Sequence, residues 1–87
     1  MARVLITPAA QEQLEALPLG IHARVNGVLS RLVAWPGVSG AKPLRGDLAG
    51  QYRIRTGDYR VQFVVSGKGS ATVVTVVKIG KRDRFYD

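Results

Sequence analysis

A two-residue connection, Gly57-Asp58, joins two alternating segments, Gln51 to Thr56 and Tyr59 to Ser66, and nothing else in the chain restricts its fold as strongly. Glycine reaches positive φ without a side-chain penalty, so a Gly-Asp pair between alternating runs specifies a tight hairpin of the primed turn class. The register follows from the turn. Thr56 pairs with Tyr59, Arg55 with Arg60 and Arg53 with Gln62, and the period of two gathers Tyr52, Ile54, Tyr59, Val61 and Phe63 on the opposite face. One face of the hairpin is apolar and the other is cationic.

Like charges set directly across a strand pair cost about 0.2–1 kcal/mol. Three arginines on one small face therefore argue for an anion held there. Arginine suits phosphate because its planar fork donates two parallel hydrogen bonds and stays charged. The same pattern is also compatible with a plain solvated face whose long basic side chains keep a sheet from aggregating.

The charge distribution bears on that choice. Residues 1 to 41 hold three basic and two acidic side chains, whereas residues 42 to 87 hold ten and four. Function is thus expected in the second half, where a basic field attracts nucleic acid, anionic lipid or an acidic protein. With 87 residues and no cysteine, the reading is one domain, 1–87, in a reducing, cytoplasmic setting, without disulfides or thiolate metal sites. A lone histidine, His22, makes no zinc site, and no metal or other cofactor is expected. No N-terminal signal pattern and no apolar run of membrane-spanning length is present, so the chain reads as soluble, without a membrane partner.

Taken in order, residues 2 to 6 are short and β-prone, and Thr7-Pro8 is an N-cap followed by proline at the first helical position. A first helix is expected from Pro8 to about Leu17, stopped by Pro18. A second begins near Leu19, with Ile21, Val25, Val28, Leu29 and Leu32 on one helical face. Trp35-Pro36-Gly37 ends it, and Val38 to Gly50, with three glycines and a proline, reads as a loop carrying Lys42 and Arg45. Strands then fall at about 51 to 56, 59 to 66 and 71 to 79, the last apolar on nearly both faces and so central. The expected fold class is α+β, in the order β-α-α-β-β-β: a helical hairpin packed on a largely antiparallel four-stranded sheet. If the helices cover Ile54, Val61 and Phe63, the exposed face presents Arg53, Arg55 and Arg60.

The motifs Lys42-Pro43-Leu44-Arg45-Gly46, Tyr52-Arg53-Ile54-Arg55, Tyr59-Arg60-Val61 and Gly80-Lys81-Arg82-Asp83-Arg84 with Phe85-Tyr86 match in order, spacing and placement. Across its whole length the chain resembles the RelE branch of the RelE/ParE toxin superfamily, with its microbial-ribonuclease-type fold. The resemblance implies the toxin of a type II toxin–antitoxin system, a ribosome-dependent endoribonuclease that cuts messenger RNA in the A site by 2′-hydroxyl attack and so inhibits translation. It implies Arg53, Arg55, Arg60 and Arg82 around the phosphate and Tyr86 stacked on a base. Lys42, Arg45, Lys81 and Arg84 would add RNA contacts. The implied partners are ribosome-held messenger RNA, with ribosomal RNA contacts, and a cognate antitoxin that covers this surface or displaces the tail, forming an oligomer with it.

Two departures from the family pattern bear on mechanism. Lysines usually stand where this chain has Arg53 and Arg55, and one of them is thought to act as base. A guanidinium is a very poor proton acceptor. Lys78 and Lys81 are the nearby amines left for proton transfer. The tail also ends one residue after Tyr86, leaving at most a short C-terminal helix. A gyrase-poisoning toxin of the ParE kind, or a basic binding relative without catalysis, is the alternative.

Overall fold

The hairpin forms in the expected register. In the computed structural model, which describes residues 2–81, strands β3 (Gln51–Thr56) and β4 (Tyr59–Ser66) pair Thr56 with Tyr59, Arg55 with Arg60 and Arg53 with Gln62. Gly57 has φ of +61°, and no non-glycine residue among those described has positive φ. The turn is thus left-handed at its first position only, as in the II′ class.

The helical hairpin also starts where its capping signal lies. Helix α1 (Pro8–Glu15) is capped by Thr7, whose Oγ1 accepts a hydrogen bond from the Ala10 N–H at 3.2 Å. It closes two residues before the expected Leu17, and Pro18 takes the N-cap position of α2 (Leu19–Arg31). Val25, Val28, Leu29 and Leu32 are buried and Ile21 packs against them, so the apolar stripe faces the sheet as its spacing requires. Ala10 and Leu14 join that core from α1, and Ile54, Val61, Phe63, Val74, Val76 and Ile79 join it from below. Burying each large aliphatic side chain is worth about 1.5–3 kcal/mol. Trp35, Tyr52 and Phe63 close one end of the core, with ring centroids 4.7 to 5.8 Å apart.

Among the described residues the sheet has five strands where four were expected. Besides β3 and β4 these are β1 (Arg3–Ile6), β2 (Lys42–Pro43) and β5 (Val73–Lys81), in the order β1-β5-β4-β3-β2. β1 runs parallel to β5, and the other neighbours are antiparallel. β2 lies inside the stretch read as loop. A two-residue edge strand whose second member is a proline, which has no N–H to donate, leaves no periodic trace.

β5 departs from a regular strand at one point. Phe63 pairs with Val76 but Gln62 pairs with Lys78, so Val77 is an extra residue, a β-bulge. The near-continuous apolar run of β5 has two causes. The strand is enclosed between β1 and β4, and the bulge resets its alternation so that Val74, Val76 and Ile79 all reach the core.

Candidate nucleic-acid interface

Both helices lie on one side of the sheet, and on the other side cross-strand pairing aligns side chains in rows. Lys42, Arg53, Gln62 and Lys78 form one row across four strands, and Arg55, Arg60 and Gly80 form the next. With strands about 4.8 Å apart, neighbouring heads in such rows are within reach of a single phosphate. The adjoining row, Gln51, Val64, Thr75 and Leu5, is uncharged. The cations of this face are thus gathered toward the β3–β4 turn, and beyond the uncharged row only Arg3, exposed at the β1 edge opposite Val73, adds another among the described residues. Gln62 Nε2 donates to Gln51 Oε1, which ties the cationic row to the uncharged one.

The three hairpin arginines share this face but not one depth. Arg55 is exposed and Arg53 is half-buried, whereas Arg60 is only 1 % exposed. The expectation that Arg60 stands on an exposed face is corrected here. Alternation assigns a residue to a face; it does not say how deeply a central-strand side chain is buried there. Arg53 and Arg60 each interact with other groups of the protein. A guanidinium held inside the structure has lost its water and needs such partners.

Of the remaining candidates, Lys42 is brought beside Arg53, and Arg45 is exposed just beyond it, ahead of a short turn at Gly46–Leu48. Lys81 is placed elsewhere: it pairs with Tyr59, on the helix side of the sheet, and lines a cleft of about 480 Å³ with Gln13, Ala16, Leu17 and Ile79. Lys78 borders the same cleft from the bulge. Arg82, Arg84 and Tyr86 lie outside the described residues. Sequence reasoning did not set Lys78 in the arginine row, because the bulge that puts it there breaks the period on which such reasoning depends.

A helical hairpin on one side of a mixed sheet and a band of cations on the other define a small α+β protein with one basic face. The family described as "ParE toxin of type II toxin-antitoxin system, parDE" matches residues 4–86. A RelE toxin of Mycobacterium tuberculosis is 37 % identical over 84 residues, 95 % of this chain and 84 % of that protein. Among solved structures, the RelBE2 toxin–antitoxin complex of M. tuberculosis aligns with a TM-score of 0.78 at 30 % identity, covering 93 % of this chain and 98 % of the other. The archaeal RelE–RelB complex of Pyrococcus horikoshii aligns at 0.71 and 28 % identity, covering 97 % and 98 %. The chain belongs to the RelE/ParE toxin superfamily and is a type II toxin of the RelE family.

Proposed function

We propose that this toxin is an endoribonuclease that cleaves messenger RNA held in the ribosomal A site and thereby stops translation. The observation that carries this reading is the convergence of Arg53, Arg55 and Arg60 on the sheet face that the helices leave open. In the reaction the ribose 2′-oxygen bonds to the adjacent phosphorus, the bond from phosphorus to the 5′-oxygen breaks, and negative charge grows on the phosphoryl oxygens. The 2′-hydroxyl loses its proton and the leaving oxygen gains one, giving a 2′,3′-cyclic phosphate and a 5′-hydroxyl end.

Each arginine has a distinct part in this scheme. Arg60, buried and held by other groups of the protein, is the fixed donor of the set, the kind most effective where charge develops. Arg53 grips the same phosphate from the neighbouring strand, and Arg55 draws the chain in from solvent. With no proton acceptor among them, the rate depends on in-line positioning and charge stabilisation. Arg82 acts at the leaving oxygen and Tyr86 stacks on a base, worth about 1–3 kcal/mol. Lys42, Arg45, Lys81 and Arg84 add phosphate contacts along messenger or ribosomal RNA without choosing sequence.

The partner that silences the toxin is an antitoxin encoded with it, a reading supported by the RelBE2 and RelE–RelB complexes among its structural neighbours. The site of action is the cytoplasm. Among the described residues no helix is long and apolar enough to cross a membrane.

A second reading is favoured by the matching family, which is described as ParE: a toxin that poisons DNA gyrase through protein contacts and cuts nothing. Labelled-precursor incorporation after induced expression separates the two. Methionine uptake falling before thymidine uptake is the expected result. Loss of thymidine uptake and supercoiling while methionine uptake persists would replace the ribonuclease reading with the gyrase one.

A further inference from the structure

The bulge in β5 has a chemical consequence. In a regular strand Val77 would oppose Gln62 and Lys78 would oppose Val61, directing an ammonium into the apolar core beneath the helices. Instead Val77 is the extra residue, Lys78 opposes Gln62 on the cationic face, and Ile79 takes the core position at 2 % exposed. Bulges interrupt a ladder and are enriched beside active sites, where they re-aim a side chain. Here the interruption falls where β5 passes the cationic rows.

We propose that Lys78 is a substrate-contacting cation of the RNA site, set into it by the bulge at Val77; the proposal rests on the ribonuclease reading and deepens it. Lys78 shares a row with Arg53 and Lys42 and stands diagonal to Arg60, whose direct partner on β5, Gly80, contributes no side chain. Gln62, between Lys78 and Arg53, has its amide tied to Gln51. By register Lys81 pairs with Tyr59 on the helix side, so among the described residues Lys78, which also borders the cleft beside α1, is the one cation that β5 supplies to this face. The site is thus closed on three sides by charge: Arg53 and Arg55 from β3, Arg60 from β4 and Lys78 from β5. An ammonium is a compact point charge with three donors and complements planar guanidinium forks. It reaches a non-bridging phosphoryl oxygen that the two strands of arginine leave open.

The test uses the full chain with Lys78→Gln, Lys78→Arg and, as a remote control, Lys68→Gln in the β4–β5 turn. Single-turnover cleavage of ribosome-bound message is expected to slow at least tenfold in Lys78→Gln, to stay within about threefold in Lys78→Arg, and to be unchanged in Lys68→Gln, with all melting temperatures alike. Binding of a non-cleavable 2′-deoxy-substituted oligonucleotide is measured alongside. Its log affinity against log salt should flatten by about 0.7 in Lys78→Gln only, as when one phosphate of a single strand is no longer neutralised. Lys78→Gln cleaving at the parent rate, or an unchanged salt slope, overturns the proposal. So does a Lys78→Arg as slow as Lys78→Gln, which would mean that something other than charge is supplied. If the parent protein cleaves no ribosome-bound message, the ribonuclease reading fails by itself, and the salt slope alone decides whether Lys78 holds phosphate.

Discussion

The side chain of Gln13, on the first helix, takes the place of a missing strand at the backbone of Ile79, accepting its N–H at 2.7 Å. β1 leaves the sheet after Ile6, where Thr7 N–H bonds the Val76 carbonyl at 3.0 Å, and from there the outer edge of β5 has no strand beside it among the described residues. Gln13→Leu would strand a buried donor, which costs about 1–3 kcal/mol. Thermal unfolding should therefore begin several degrees lower in Gln13→Leu, and amide exchange at Ile79 should rise. Gln13→Glu, which keeps an acceptor, should lose much less. A Gln13→Leu protein that melts with the parent would show the bond to be dispensable.

Arg55 and Arg60 pair across the hairpin, yet their substitutions should behave differently. Arg55→Ala removes an exposed charge facing a like charge, so stability should stay within about 0.5 kcal/mol or rise slightly. Arg60→Ala removes an enclosed side chain that interacts with the rest of the protein and should cost on the order of 1–3 kcal/mol. Urea unfolding of the two variants tests the difference, and both should lose toxicity. Equal stabilities would mean that the enclosure of Arg60 contributes nothing to folding.

Gly67 and Gly69 both have positive φ, +76° and +56°, but only one is crowded. A Cβ at Gly67 would come within 2.1 Å of the Ala71 carbonyl oxygen, whereas one at Gly69 would meet nothing within 4 Å. Gly69→Ala should cost only the left-handed backbone strain, about 1–2 kcal/mol, and Gly67→Ala distinctly more, since a backbone atom must move. Calorimetric melting of the two alanine variants gives the order, and a reversed order would refute this account of the turn.

Lys42 and Arg45, at the far edge of the sheet, should govern affinity without sequence preference. Lys42→Gln with Arg45→Gln should flatten the salt dependence of single-stranded RNA binding by about 1.4, or 0.7 for each phosphate left without its cation. Cleavage at saturating ribosomes should change little. Two RNA sequences measured in parallel should weaken equally; unequal weakening would assign these residues to base readout.

Much of this arrangement was legible in the sequence because it rests on local rules. The Gly57-Asp58 turn determined the β3–β4 register residue by residue, Thr7-Pro8 marked the start of α1, and the spacing from Ile21 to Leu32 identified the buried side of α2. What escaped depends on neighbours distant in the chain. Lys42 and Pro43 form a strand only because Arg53 and Tyr52 are there to pair with them. The depth of Arg60 shows only in the folded sheet, and the phase of Lys78 comes from an extra residue that interrupts the alternation on which strand reading relies. Gln13, unremarkable on a short helix, matters only once β1 has turned away from β5.

The position of β5 between β1 and β4 has a consequence for synthesis. Arg3, made early, finds its partner Val73 only after β2, β3 and β4 have been translated, and until then β1 has no strand to join. Closing such long-range pairs is slow compared with forming the local hairpin, and it waits for one late segment to insert between two earlier ones. A nascent chain that has produced Arg53, Arg55 and Arg60 still lacks β5, the strand that pairs with β4 and carries Lys78. The cationic face shared by β3, β4 and β5 is therefore complete only once residues 73–81 have emerged, later than the hairpin that carries its arginines.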